Sequence, residues 1–176
     1  MVGWSDVPAD LSDKNAIARL SACLPQDAVI VSSDLIRAVA TAEAVQANRL
    51  RLPHDRFLRE MHFGDWELRS HAQIEAETPD LIRAFWDSPG DVRPPGGESW
   101  NDLNTRIWAA TDRLLQNFTG QNIIVVAHFG AILSALQRAA NSTPEQVFSH
   151  RIDNFSVTEL AHDADGWHIG RINHIA

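Results

Sequence analysis

The stretch Ile123-Ile124-Val125-Val126-Ala127-His128-Phe129-Gly130 decides the fold. Its continuous apolar, β-branched run reads as a strand covered on both faces, as parallel sheets require. The run ends in an imidazole and a glycine, and a helical pattern follows from Ala131 to about Ala140. Open α/β sheets take their ligands at such carboxyl strand ends. The spacing therefore sets His128 beside a helix amino terminus, where unpaired N–H groups and partial positive charge favour an anion.

The same grammar runs through the rest of the chain. Ala28-Val29-Ile30-Val31 reads as a second buried strand, and Ser32-Ser33-Asp34 as the cap of a helix through Leu35, Val39, Ala42 and Val45. Upstream, Ser12 and Asp13 introduce a helix through Ile17, Leu20 and Leu24 that Pro25 ends. Leu50 to Leu58 reads as an irregular or extended connection, and Ile74 to Trp86 as helix interrupted by Pro79. Gly90 to Gly97 is a proline- and glycine-rich loop. Ser99 or Asn101 caps the next helix, which carries Leu103, Ile107, Ala110 and Leu114. In the tail, Asp163-Ala164-Asp165-Gly166 separates two strand-like runs, Ser156 to Leu160 and Trp167 to Ile172, and signals a hairpin. The pattern predicts an α/β protein of three layers, α/β/α. Its sheet is mixed and mostly parallel, with a C-terminal antiparallel hairpin, in one domain spanning residues 1–176.

Composition narrows the function. At 44% hydrophobic and 22% charged, the 176-residue chain has ordinary globular proportions. A formal net charge of -8 argues against a nucleic-acid partner, which needs clustered Lys and Arg, but leaves room for a small anion held by local arginines. The single cysteine, Cys23, allows no internal disulfide and is expected to pack as a small apolar residue near Leu20 and Leu24. No apolar run is long enough for a membrane span, and the first residues lack the pattern of a signal peptide. A cytoplasmic protein without membrane partners is expected.

Four groups are candidates for chemistry. His128 is the best placed, although a core histidine satisfied at a strand end fits its local sequence equally well. Arg37, one turn into a helix, has the forked geometry for a phosphate, yet alone it also suits an exposed helical arginine. Glu60 lies among Met61, Phe63 and Trp66, surroundings that raise a carboxyl pKa and suit a general acid; alternatively it pairs with Arg59. The loop Pro94-Pro95-Gly96-Gly97-Glu98-Ser99 can wrap a ligand with backbone groups, or be an ordinary turn.

Taken together the segments are far more specific. Ser32-Ser33-Asp34-Leu35-Ile36-Arg37-Ala38, Leu58-Arg59-Glu60 with Phe63-Gly64-Asp65-Trp66-Glu67, Pro95-Gly96-Gly97-Glu98-Ser99, and Val125-Val126-Ala127-His128 resemble the histidine phosphatase superfamily, in its phosphoglycerate mutase-like branch of small phosphatases. Gly3-Trp4-Ser5-Asp6-Val7-Pro8 is similar to the segment after that family's first motif, and Asp153 to Thr158 to its late strand entry. The resemblance implies phosphomonoester hydrolysis through a phosphohistidine, with no cofactor and no metal. It makes Arg37 a phosphate-binding arginine, Glu60 the proton donor and His128 a second histidine on the phosphoryl group. It also puts Phe129 at the phosphate and Gly97, Glu98 and Ser99 in the substrate loop. The expected partner is a phosphorylated small molecule or inorganic phosphate.

The sequence also departs from the family. It contains no Arg-His-Gly, the motif whose histidine attacks phosphorus and whose strand lies centrally beside the one ending at His128. The expectation is a domain shortened at the N-terminus, lacking its first central strand and inactive as it stands. Its sheet would close up, pair with a second copy through the exposed edge, or be poorly stable. His62 is the histidine nearest a site residue, but flanked by Met61 and Phe63 it reads as structural or exposed. Phe129 and Leu68 stand where glycine is common. A non-catalytic binder of a phosphorylated ligand or a partner protein is the alternative reading. More remote is a metal-dependent hydrolase, suggested by His162 and His168 around Asp163 and Asp165.

Overall fold

A computed structural model describes all 176 residues. In chain order the elements are α1 (Lys14–Cys23), β1 (Val29–Ser32), α2 (Ile36–Val45), β2 (Leu50–Arg51), α3 (His71–Glu77), α4 (Pro79–Asp87) and α5 (Trp100–Asn117). There follow β3 (Ile123–Val126), α6 (Phe129–Ala140), α7 (Pro144–Val147), β4 (Ser156–Val157), β5 (Leu160–Asp163), β6 (Gly166–Ile169) and β7 (His174–Ile175). The architecture is three-layer α/β/α, with a parallel sheet ordered β2-β1-β3 and antiparallel pairs at the C-terminus.

β1 explains the layers. All four of its residues are buried, and alternation sends neighbours to opposite faces. Ile30 packs with Ile17, Leu20, Ala42 and Val45 of α1 and α2. Val31 faces the other way, onto Leu58 and Ala110 of α5. A third cluster, from Trp66 through Ile82, Phe85 and Trp100 to Leu133 and Val147, ties α3–α7 together beyond the sheet. No helix is long and apolar enough to cross a membrane.

The expected mixed sheet resolves into an all-parallel sheet of three strands and two separate antiparallel pairs, β4–β7 and β5–β6. The physical reason lies at β3. Its carbonyls at Asn122 and Val126 accept from Val29 and Ser33, so alternate residues face β1. Ile123 and Val125 therefore turn their backbone groups to the other edge, where no strand lies. Val125 is 40% exposed although it is in the middle of an apolar strand. The sheet has not closed over this edge.

Local readings were refined as well. The hairpin pairs Leu160–Asp163 with Gly166–Ile169, so its first arm starts four residues later than Ser156 and only Ala164 and Asp165 form the turn. Pro79 starts α4 rather than kinking one helix, because its missing N–H is harmless at a first turn. Ser99, not Asn101, caps α5, exchanging hydrogen bonds with Asp102. No side chain caps α2. Ser33 and Asp34, expected there, are drawn instead into contacts with other strands and loops.

Candidate functional site

The carboxyl ends of β1 and β3 meet through side chains. Ser33 Oγ and His128 Nε2 are hydrogen-bonded at 2.7 Å. His128 is the residue before α6 and is nearly buried. Burial, with help from the nearby positive charges of Arg37 and Arg106, pushes its pKa down to about 3. The imidazole is neutral at physiological pH.

Two residues on, Gly130 N donates to both oxygens of Glu60, at 3.0 and 3.1 Å. Only glycine permits this approach, since a Cβ here would fall 2.5 Å from Glu60 Oε1. Met61 N also donates to Glu60 Oε1, at 2.8 Å. Enclosure raises the Glu60 pKa in spite of these two donors and of Arg37 and Arg106. Thus His128 and Glu60, 68 positions apart in sequence, are brought to one helix start.

Arg37 reaches the same region from α2, with burial lowering its pKa. Its terminal nitrogens donate to Ser5 O (3.0 Å) and Gly3 O (2.6 Å). Two of a guanidinium's five N–H groups are thereby committed to the N-terminal loop, leaving three. Phe129 projects a side chain that is 44% exposed. The loop of Gly97, Glu98 and Ser99 is laced to the Glu60 segment: Glu98 N donates to His62 O at 2.8 Å, and Asp65 N to Pro95 O at 2.9 Å.

Arg106 escaped the sequence reading, and Glu67 and Trp4 were assigned no role there, although both lie in segments it singled out. Arg106 of α5 holds Glu98 through two charge-assisted bonds of 2.8 and 2.7 Å. It also donates to the carbonyls of Phe57, Arg59 and Glu60. Its one sequence signal is an arginine beside the apolar face of Leu103, Ile107 and Ala110. Glu67 accepts from the backbone of Gly3, Trp4, Ser5 and Phe63 and from the Ser5 hydroxyl. Burial opposes its ionisation, but those donors prevail and its pKa is lowered. Trp4 donates to Glu60 O at 2.7 Å and lies against His62 and the guanidinium of Arg59. Arg59 in turn grips Asp34 with two bonds of 2.6 Å, so Glu60 is not its partner.

The other sequence candidates lie elsewhere. Cys23 is half-buried at the end of α1. His168 binds Asp163 across the hairpin turn and His162 packs on Trp167. No group of three or more His, Cys, Asp or Glu side chains is gathered as a metal would need.

Comparison with known proteins identifies the family. Residues 1–175 match the histidine phosphatase superfamily (branch 1). The sequence is 33% identical over 154 residues to phosphoglycerate mutase-like protein 4 of Arabidopsis thaliana, covering 83% of this chain and 65% of the relative. The chain therefore spans just under two thirds of that relative's length. Among solved structures, YhfR of Bacillus stearothermophilus superposes with a TM-score of 0.90 at 26% identity, covering 100% of this chain and 89% of that one. A mycobacterial glucosyl-3-phosphoglycerate phosphatase superposes with a TM-score of 0.85 at 26% identity, covering 100% and 92%. This chain belongs to the histidine phosphatase superfamily, branch 1.

Proposed function

We propose that these residues form the phosphoryl-gripping and proton-donating half of a phosphomonoester hydrolase that works through a phosphohistidine. One observation carries this reading: the buried Glu60 carboxyl is tied through Gly130 N–H to the helix that starts beside the buried His128. A carboxyl whose pKa is raised by enclosure keeps a proton for the leaving alkoxide. His128, the free N–H groups of Arg37 and the start of α6 supply donors to the phosphoryl oxygens, and Phe129 N lies in the same turn. Glu98 and Ser99 fix the substrate loop, one through Arg106 and the other through the α5 cap.

The attacking imidazole is not among these groups, and the 176 residues contain no Arg-His-Gly. In this reading the nucleophile arrives on an extended segment paired along the free edge of β3, next to His128. Without it the chain binds inorganic phosphate or a phosphorylated small molecule and does not turn it over. A formal net charge of -8 argues against a nucleic-acid partner, and no membrane partner is proposed. The open edge offers a route to a homo-oligomer. The expected compartment is the cytoplasm, where a lone thiol stays reduced.

The test is phosphatase activity of this chain beside a version extended upstream by an Arg-His-Gly strand. The extended form is expected to turn over a phosphomonoester and this chain is not. In the extended form Glu60→Gln should cost at least about a hundredfold in kcat. Phosphate binding that depends on Arg37, with no turnover in either form, would instead favour the non-catalytic binder.

A further inference from the structure

Beside Glu60 lies a pocket walled by six aromatic side chains: Phe63, Phe85, Trp86, Trp100, Phe129 and Phe148. Five stretches of chain supply them, so the box is a tertiary feature and no single helix face. The rings support one another: Phe85 and Trp86 meet edge to face at 4.9 Å, and Trp100 leans on Phe148 at 4.6 Å. The indole N–H of Trp100 is committed to Gln137 at 2.6 Å and offers a ligand nothing. Glu60 is the only ionisable side chain in the lining, and no lysine or arginine reaches it.

The box opens beside the reacting centre. Phe129, one of the lining residues, directly follows His128 in the chain. Trp86 and Phe129 are 41% and 44% exposed and form its rim. The space inside is about 40 Å³, so a ring-sized group enters only when these two exposed side chains turn outward.

We propose that this box receives the alcohol portion of the phosphomonoester and selects one that is uncharged and apolar or aromatic; the inference rests on the phosphatase reading above. Glu60 is in the lining, so an alkoxide leaving into the box meets the group that protonates it. A carboxylate or second phosphate on the alcohol would lose its water there and find no cation, which is costly. A flat apolar alcohol would trade water for ring faces and edges instead.

Calorimetric titration of this chain with phenyl phosphate, 3-phosphoglycerate and inorganic phosphate tests the inference. Phenyl phosphate is expected to bind about tenfold or more tighter than inorganic phosphate, the gain from covering one ring. 3-Phosphoglycerate should bind no better than inorganic phosphate. Trp86→Ala should bring phenyl phosphate down to the affinity of inorganic phosphate. Val92→Arg, which puts a cation in the lining, should raise 3-phosphoglycerate above phenyl phosphate and serves if the first variant folds poorly. Equal affinities for all three ligands would overturn the box and leave the phosphatase reading standing. If inorganic phosphate and both esters fail to bind, the phosphate site falls and the substrate class with it.

Discussion

The polar frame around the candidate site and the outer edge of β3 are neighbours built on opposite principles. In the frame nearly every donor has an acceptor: Glu67 collects five hydrogen bonds and Arg106 makes five. Along β3 the backbone groups of Ile123 and Val125 face outward with no strand against them. Side chains from distant segments can complete a loop framework by themselves. A strand edge can be completed only by another strand. The loop frame is therefore complete within itself, while the outer edge of β3 carries backbone groups that no strand faces.

The largest expected effect comes from breaking the frame. Arg106 and Glu98 are both mostly buried, with side-chain exposures of 11% and 18%. Arg106→Met leaves the Glu98 carboxylate with only the His62 N–H and takes the Arg106 donor from the Phe57 and Arg59 carbonyls, while Glu60 O keeps the Trp4 indole. The loss of the buried charge partner should cost about 3–5 kcal/mol in urea unfolding. Adding Glu98→Gln removes the unpaired charge and should recover part of the loss. A cost below about 1 kcal/mol for Arg106→Met would show that the frame does not depend on that guanidinium.

Next in size is the response to acid at the junction of frame and edge. The His128 pKa is lowered from 6.5 to about 3 by burial, with Arg37 and Arg106 adding to the effect and Asp34 opposing it. Between those two values the unfolded chain binds a proton that the folded chain refuses. Stability is therefore fully present above pH 6.5 and lost as pH falls toward 3, by about 3 kcal/mol at pH 4 from this group. Glu60 slopes the other way: its raised pKa withdraws stability as pH rises above 4.5 through its folded value. His128→Gln should flatten the acid limb in urea titrations from pH 7 to 4, whatever its offset at pH 7. An unchanged slope would mean that the histidine is not protected from protons.

The edge should behave differently. Val125 is 40% exposed, so Val125→Lys is expected to change the unfolding free energy by less than about 0.5 kcal/mol. A lysine on an open edge opposes strand-to-strand pairing. If copies associate through β3, sedimentation should show the variant dissociating at least about tenfold more readily, a difference of roughly 1.4 kcal/mol. Identical sedimentation of both proteins, with self-association present, would move the contact elsewhere.

What was legible in the sequence follows the same division. The strand ending before His128, the β1–α2 unit and the hairpin turn are local patterns of period 2 or 3.6, and each was readable from neighbouring residues. So was the grouping of Arg37, Glu60 and His128, through motifs that resemble a family. The frame was not: Trp4 and Glu67 lie in segments that resemble the family and Arg106 in none, and all three act on residues tens of positions away, contacts that no local pattern encodes. Asp34 shows the cost of local reasoning: its spacing suits a helix cap, yet two bonds to Arg59 outcompete that role. The separation of the tail pairs from the main sheet was equally hidden, since which strand pairs with which is a tertiary choice that the tail's own pattern does not encode.

The smallest expected effect sits inside the frame, at Leu68. Its φ is +59°, a left-handed conformation that costs a branched side chain about 1–2 kcal/mol. The side chain is 66% exposed, so little packing offsets that cost. Its N–H donates to Met1 O at 2.8 Å, which holds the turn in place. Leu68→Gly relieves the strain but loosens the unfolded chain, and the balance should be a gain of about 0.5–1 kcal/mol. Gly64 marks the contrast four residues earlier. Its φ is +54°, and a Cβ there would fall 2.1 Å from Pro95 O, so Gly64→Ala should destabilise where Leu68→Gly stabilises. Thermal unfolding of the two variants measures both signs. A destabilised Leu68→Gly would mean that the leucine side chain contributes contacts that outweigh its backbone strain.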